Sequence, residues 1–214
     1  MLALAREQSG AAFDGTDMVS GRNGLTPVFS AEQIETRVRE LGAQISGDYG
    51  ADVLHACAIM DDSFVFFADL VRALSCPVIC HFIKMETRDT VSGAHAVRNI
   101  VYTPVEDIAS KHVLVVNTLM DSGLTVDHLV QQLLLKKPKS IRTAALVDRQ
   151  ERRCLPFRVD YAGFPWEGGH LVGYGLDMGG RYRNLPYVAT MTPPGIMKSA
   201  AFSPTGAAQG GAVT

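Results

Sequence analysis

The chain has 214 residues, of which 47% are hydrophobic and 20% are charged, and its formal net charge at pH 7 is −2. This composition is typical of a globular protein with a sizeable core, and it excludes an intrinsically disordered chain. The balanced charge offers no basic field for nucleic acid or an anionic membrane, and no apolar run reaches the length of a membrane span. Because the first residues lack a signal-peptide pattern, the protein is predicted to be cytoplasmic.

The two ends of the chain differ from its middle. Residues 1–24 and 196–214 are rich in small and polar residues without periodicity, so both are predicted to be flexible segments around a single domain at 25–195. A first helix is predicted after Ser30, because Ser30 and Gln33 have the spacing of a capping box. Apolar residues then repeat at helical intervals, at Ile34, Val38, Leu41 and Ile45.

Further along the chain, apolar runs of strand length alternate with helix-length segments. Strands are predicted at 53–60, 77–85, 97–102, 113–116 and 140–148, with shorter ones at 161–164, 171–174 and 187–191. Helices are predicted at 64–74 and 124–136. This alternation predicts an α/β fold, with a mainly parallel central sheet flanked by helices on both faces.

The cysteines and histidines show neither a paired C-x-x-C spacing nor a metal-ligand spacing. The cysteines lie in or beside apolar runs and are predicted to be buried free thiols in a reducing compartment: Cys57, Cys76, Cys80 and Cys154. Four of the six histidines are scattered and are predicted to be structural or surface groups: His55, His81, His95 and His112.

The stretch VLVVNTLMDSGLT, residues 113–125, predicts a buried strand that leads through a short loop into a helix. Gly123 permits a tight turn, Ser122 and Thr125 supply hydroxyls, and the helix N-terminus directs free N–H groups at the loop. Ligands of parallel sheets bind at the carboxyl ends of strands, so this loop favours a phosphomonoester site. On the residues alone, a capped turn is the alternative, and neither a Walker loop nor a dinucleotide fingerprint is present.

The same stretch resembles the signature that binds 5-phosphoribosyl-1-pyrophosphate (PRPP) in type I phosphoribosyltransferases. Further segments, in the same order and spacing, resemble the bacterial hypoxanthine/guanine phosphoribosyltransferases: FVFFADL, LVDRQERR, VDYAGF and VGYGLDMGGRYRNLPYV. The resemblance implies the type I phosphoribosyltransferase fold with a small hood subdomain. It also implies Mg²⁺ as cofactor, a homodimer or homotetramer, and transfer of ribose 5-phosphate from PRPP to a purine base with release of pyrophosphate.

The resemblance further implies roles for individual residues. Asp121 matches an aspartate thought to take a proton from the purine, and it opens the implied 5′-phosphate cradle, which continues with Ser122, Gly123, Leu124 and Thr125. The implied purine-binding residues are Arg149, His170 and Leu171. On the pyrophosphate side are Asp177, as the acid beside Mg²⁺, and Arg183. The alternatives are a helix N-cap for Asp121, a surface ion pair for Asp177 with Arg183, and ordinary packing for His170.

Arg149 bears on the choice of base. It replaces a lysine that reads the exocyclic oxygen of the purine in the family, and its cation keeps the ability to donate to that oxygen. The sequence therefore favours hypoxanthine, guanine or xanthine over adenine.

Two segments depart from the family pattern. Asn117 and Thr118 stand where the family has a Glu-Asp pair that holds the ribose hydroxyls, and losing two such hydrogen bonds costs on the order of 3–6 kcal/mol. The Leu-Lys-Gly loop that meets pyrophosphate is replaced by Met60 followed by Asp61, Asp62 and Ser63. These three are predicted to face the pyrophosphate, with one of the acids helping to hold Mg²⁺.

The flap after the 77–85 strand also differs, because residues 84–88 offer no equivalent of the Ser-Tyr pair that closes over PRPP in the family. The sequence therefore supports two functions. The first is a phosphoribosyltransferase that is slow or shifted in substrate, and the second is a catalytically impaired, nucleotide-binding regulatory relative.

Overall fold

The computed structural model describes residues 24–60, 62–92, 95–102 and 107–191, and within 85–102 it describes the backbone alone. Three predictions lie outside these residues. They concern the N-terminal segment up to residue 23, the C-terminal segment 196–214, and Asp61.

Nine strands and three helices follow one another along the described chain. In order they are β1 Leu25–Phe29, α1 Ala31–Tyr49, β2 Leu54–Met60, α2 Phe64–Ala73, β3 Val78–Ser92, β4 His95–Tyr102, β5 His112–Met120, α3 Leu124–Leu134, β6 Ser140–Asp148, β7 Tyr161–Pro165, β8 Leu171–Val172 and β9 Val188–Met191. A short 3-10 turn at Gln150–Arg152 follows β6. Every strand and helix predicted from the sequence is present, although several ends differ.

The main sheet has six strands in the order β4-β3-β2-β5-β6-β7. The five strands from β3 to β7 in that order are parallel, whereas β4 runs antiparallel to β3. Helices α1 and α2 contribute to the core on one face of the sheet, and α3 contributes to the core on the other. A smaller antiparallel sheet, β1-β9-β8, forms the hood. The predicted fold class is confirmed.

Local sequence accounts for the central elements. Strand β2 reads LHACAIM and is buried up to its last residue, as expected for a parallel strand covered on both faces. At the start of α1, the Oγ of Ser30 accepts from the backbone N–H of Gln33, while the Gln33 side chain accepts from the backbone N–H of Ser30. The predicted capping box is therefore confirmed.

Two strands differ from the prediction. Strand β1 was not predicted. It contains Pro27 and lies at the edge of the hood sheet, the position at which a proline is tolerated in a sheet. Strand β3 continues to Ser92, beyond the predicted end at residue 85, because it pairs with β4 from Met85↔Tyr102 to Ser92↔His95. The polar composition of this hairpin favoured a loop, and its pairing partner is not visible in a local pattern.

The fold places the ends of β2 and β5 side by side. These strands are parallel neighbours in register from Leu54↔His112 to Ala58↔Val116. The residues that follow them, Asp62 and Ser63 after β2 and Asp121 after β5, therefore share the carboxyl edge of the sheet, where ligands bind in this architecture.

Within the described ranges, no helix is both long enough and apolar enough to cross a membrane.

The same residues contain no group of three or more His, Cys, Asp or Glu side chains that could hold a metal ion. Two of the histidines contact each other, with His55 Nδ1 at 3.0 Å from His81 Nε2, and His112 Nε2 lies 3.1 Å from Asp52 Oδ2.

The prediction that all four thiols are buried is wrong for two of them. Cys57 and Cys76 are buried, whereas Cys80 and Cys154 are exposed. The first residues of β3 are open to solvent, since Ile79 is 46% exposed and Phe82 is 59% exposed. Cys80 lies between these two residues. An apolar run in the sequence therefore does not imply burial on this strand.

We expect the thiols to react in two classes. Burial raises the pKa of the Cys57 thiol to about 12, and because the thiolate is the nucleophile, Cys57 should stay unmodified in the folded protein. Titration with an aromatic disulfide reagent near pH 8 should modify two thiols in the folded chain and four after denaturation. The variant Cys80→Ser should lower the folded count by one. Modification of Cys57 in the folded protein, mapped by mass spectrometry, would contradict this assignment.

Candidate active site

The loop between β5 and α3 has the backbone expected of an anion-binding turn. Gly123 is the N-cap of α3 and has a φ of +81°, in the left-handed region that favours glycine. The N-cap glycine has no side chain, Ser122 Oγ accepts from Leu124 N at 3.4 Å, and Asp127 N donates to Gly123 O at 2.8 Å to close the first turn. The alternative of Asp121 as a helix N-cap is therefore wrong. The amino end of α3 is directed at the loop, as a phosphate site requires.

Arg153 supports this loop from the side of β6. Its Nη1 donates to the backbone carbonyl of Asp121 at 2.9 Å, and its Nη2 contacts the carboxylate of Asp148 in a buried ion pair. A Cβ added at Gly123 would lie 3.0 Å from Arg153 Cδ, so the arginine stem covers the turn closely. Arg153 lies in one of the segments that resemble the family, but no role was predicted for it. Its position follows from the β6 end lying beside the β5 end.

Asp121 and Arg149 face each other without forming a hydrogen bond. Asp121 Oδ1 lies 3.7 Å from Arg149 Nε. In the described part of the chain, both atoms are buried and lack a hydrogen-bond partner. Other groups of Arg149 are engaged, because its backbone N–H donates to Met120 O at 2.9 Å and its Nη2 donates to Gly168 O at 2.5 Å. An acceptor and a donor are thus held in place and left unsatisfied, at a cost of about 1–3 kcal/mol each unless a ligand supplies partners.

The other predicted purine-side residues lie on the hood. His170 is exposed, and its Nε2 lies 3.0 Å from the backbone carbonyl of Asp177. Leu171 is only 2% exposed and packs in the core beneath the same side of the hood. The hood therefore fixes the backbone of residues 170 and 171, while the imidazole stays at the surface.

On the pyrophosphate side, the structure brings together one arginine and two acids. Arg183 Nη1 lies 2.5 Å from Asp62 Oδ1, and Arg183 Nη2 lies 3.0 Å from Asp177 Oδ1. The Arg183 side chain also donates to Gly175 O at 2.6 Å and is 27% exposed. The ion pair of Asp177 with Arg183, which was the alternative to their roles at the pyrophosphate, is present, and Asp62 from the loop after β2 joins it.

The two segments that depart from the family pattern contact each other. Thr118 Oγ1 donates to the backbone carbonyl of Asp62 at 2.9 Å, and Thr118 N donates to Ser63 Oγ at 3.1 Å. Ser63 Oγ in turn donates to Asn117 Oδ1 at 2.9 Å. Thr118 and Ser63 are both 0% exposed. Their hydroxyls are therefore used inside the protein, and neither the ribose contact expected of Thr118 nor the pyrophosphate contact expected of Ser63 fits this placement.

A parallel α/β sheet with a phosphate-sized loop at one strand end and an unsatisfied donor and acceptor beside it defines a class of protein that binds a phosphorylated ligand together with a polar base. The family model described as the phosphoribosyl transferase domain matches residues 27–177. The chain belongs to the phosphoribosyl transferase family, as the resemblance implied, and is an enzyme of the pentosyltransferase class.

Individual relatives extend the match over most of the chain. A hypoxanthine-guanine phosphoribosyltransferase of Aquifex aeolicus is 37% identical over 165 residues, which are 77% of this chain and 93% of that relative. A Bacillus subtilis protein of the same name is 30% identical over 168 residues, covering 78% and 92%. The crystal structure of a Bacillus anthracis hypoxanthine-guanine phosphoribosyltransferase is similar with a TM-score of 0.69 at 34% identity, covering 78% and 96%.

Proposed function

We propose that this protein transfers ribose 5-phosphate from PRPP to a 6-oxopurine base, with pyrophosphate as the leaving group. The observation that carries the proposal is the unsatisfied pair formed by Asp121 Oδ1 and Arg149 Nε, 3.7 Å apart and buried. A 6-oxopurine presents an N–H donor and an adjacent carbonyl oxygen on one edge. Asp121 can accept from that N–H while Arg149 donates to the oxygen, so one base satisfies both groups. The similar proteins named hypoxanthine-guanine phosphoribosyltransferase support the same substrates.

The 5′-phosphate is assigned to the loop from Asp121 to Thr125. Backbone N–H groups at the start of α3 and the hydroxyls of Ser122 and Thr125 can donate to phosphate oxygens, and the positive end of the helix dipole favours the dianion. Arg153, which donates to Asp121 O at 2.9 Å, keeps the loop in this shape. His170 and Leu171 are assigned to the base, the imidazole as a stacking surface and Leu171 through its backbone.

Transfer builds positive charge on the ribose and negative charge on the departing pyrophosphate. The site must therefore hold the attacking purine and the leaving pyrophosphate in line with the ribose carbon. Asp121 accepts the proton of the N–H beside the carbonyl, while the other nitrogen of the five-membered ring bonds to the ribose carbon, so the purine keeps no positive charge after transfer. Arg183 and Asp177 stand on the leaving-group side. Asp177 is the acid that would hold Mg²⁺ here, since Mg²⁺ usually takes one or two carboxylates together with phosphate oxygens. Bound there, the ion would neutralise charge on the pyrophosphate.

We also infer a homodimer or homotetramer in the cytoplasm. Large apolar side chains remain exposed around the β2–β3 side of the sheet, with Phe64 at 44% and Phe82 at 59%, and burial against a second copy would remove them from water. Free cysteines accord with a reducing compartment. Light scattering on a sizing column tests the assembly, and a monomer at micromolar concentration would contradict it.

Pyrophosphate release tests the function directly. The protein is incubated with PRPP and Mg²⁺, and with hypoxanthine, guanine, xanthine or adenine in turn. We expect release with the 6-oxopurines and much less with adenine, because Arg149 offers a donor and no acceptor to the 6-position. Absence of release with every base, in protein that still binds GMP or IMP, would instead identify a nucleotide-binding relative without turnover.

A separate prediction concerns the 5′-phosphate cradle, the loop from Asp121 to Thr125. Thr125→Val keeps the shape of the side chain and removes its hydroxyl, and a hydrogen bond to a charged group is worth about 1.5–3 kcal/mol. Affinity for GMP, measured by calorimetry, should fall about 10- to 100-fold, while affinity for free guanine stays near that of the parent. The matched control is Thr26→Val on β1, an exposed threonine away from the loop, which should change neither. Equal losses for nucleotide and base would remove Thr125 from the cradle.

A further inference from the structure

The arginine on the pyrophosphate side already has an anionic partner. Arg183 Nη1 lies 2.5 Å from Asp62 Oδ1, while Nη2 lies 3.0 Å from Asp177 Oδ1. A guanidinium binds a phosphate or carboxylate through the same donors. Asp62 therefore occupies a donor of Arg183 that a pyrophosphate oxygen would otherwise use.

The backbone at Asp62 and Ser63 is held by two neighbours, Thr118 and Gly175. Thr118 Oγ1 donates to the Asp62 carbonyl at 2.9 Å, and Thr118 N donates to the hydroxyl of Ser63 at 3.1 Å. From the hood, Gly175 approaches so closely that an added Cβ would lie 2.4 Å from Asp62 O. The loop after β2 is thus clamped between β5 and the hood, with the Asp62 side chain directed at Arg183.

We propose that Asp62 is a specificity-determining residue that competes with pyrophosphate for Arg183. The proposal rests on the proposed function, since it concerns the pyrophosphate side of the same site. Asn117, Thr118 and Ser63 hold the loop that presents Asp62, so the two departures from the family pattern form one structural unit. The site accordingly binds ligands that carry a pyrophosphate group, the proposed substrate PRPP among them, less tightly relative to purine 5′-monophosphates than it would without Asp62.

The discrimination has a direct electrostatic cause. Pyrophosphate must break the contact of Asp62 with Arg183 and then lie beside the displaced carboxylate, which repels it. A 5′-monophosphate bound at the amino end of α3 needs neither change. Asp62 is 52% exposed, so solvent screens its charge and the effect on affinity is moderate.

Binding of inorganic pyrophosphate by calorimetry, with and without Mg²⁺, tests this competition in the full-length protein. We expect Asp62→Asn to tighten pyrophosphate binding by about tenfold, while GMP affinity stays within about twofold of the parent. Asp62→Glu restores a carboxylate and should restore affinity close to that of the parent. The matched control is Asp52→Asn, which removes an acid paired with Lys139 before β2, at the opposite edge of the sheet, and should leave pyrophosphate binding unchanged.

Several results would overturn the proposal. Unchanged or weaker pyrophosphate binding by Asp62→Asn would do so, and weakening confined to the samples with Mg²⁺ would make Asp62 a metal ligand instead. Equal tightening of pyrophosphate and GMP would indicate a general charge effect. Undetectable pyrophosphate binding by parent and variant alike would show that releasing Arg183 creates no site. Failure of the proposed function is a distinct result, namely a parent that releases no pyrophosphate from PRPP with any base, whether or not it binds GMP.

Discussion

Replacement of Asp121 by asparagine is expected to lower the rate of purine transfer by about 10²- to 10⁴-fold, the usual contribution of a general base. Asparagine keeps the shape of the side chain and one oxygen, so it can still accept from the purine N–H, but it cannot take the proton. The expected loss therefore lies in kcat, and the dissociation constant of GMP should change little. Steady-state kinetics and calorimetry on the same preparations measure both.

The matched control for this variant is Asp127→Asn. Asp127 lies in the first turn of α3 and closes that turn through its backbone, so its replacement removes a charge from the same helix end without touching the base site. A rate unchanged in Asp121→Asn would remove Asp121 from the mechanism. A large loss of GMP affinity in that variant, with kcat preserved, would make Asp121 a binding residue only.

The elements predicted well are those whose signal is local. The runs that became β2 and β6 are mostly apolar and largely buried, so their ends were predicted within one residue of Leu54–Met60 and Ser140–Asp148. Strand β1 contains a proline and depends on pairing with β9, more than 150 residues away along the chain. The extension of β3 depends likewise on β4. Neither pairing partner can be read from the strand itself.

The site residues also fall into two groups, those that are contiguous in the sequence and those that only the fold brings together. The loop from Asp121 to Thr125 was predicted because its glycine, hydroxyls and following helix are contiguous. The contact of Arg183 with Asp62 spans 121 residues, and that of Ser63 with Asn117 spans 54. Sequence reasoning therefore treated the two departures as separate losses at the ribose and the pyrophosphate. Two lost ribose contacts would require the side chain at position 118 to face the ribose, whereas Thr118 is buried in the structure.

A large loss of stability is expected when the aspartate that the family has at position 118 is restored in place of Thr118. Thr118→Asp should lower the free energy of unfolding by about 3–5 kcal/mol, the cost of an uncompensated buried charge. Thr118 is 0% exposed, and its hydroxyl donates to the carbonyl of Asp62, a contact that a carboxylate would turn into repulsion. Urea denaturation measures the change, and Thr118→Ser, which keeps the hydroxyl, is the matched control with a much smaller expected loss.

The loss in Thr118→Asp should also depend on pH in a defined direction. Burial raises the pKa of the introduced carboxyl above its unfolded value of about 4, so the unfolded chain releases this proton at a lower pH than the folded chain does. The stability deficit relative to the parent is therefore smallest below about pH 4, where both states are protonated, and grows as the pH rises towards neutrality. A variant as stable as the parent at pH 7, with faster transfer from PRPP, would mean that the loop after β2 can release Thr118 from Asp62. In that case the two departures would be independent, and the acid at 118 would reach the ribose as it is thought to do in the family.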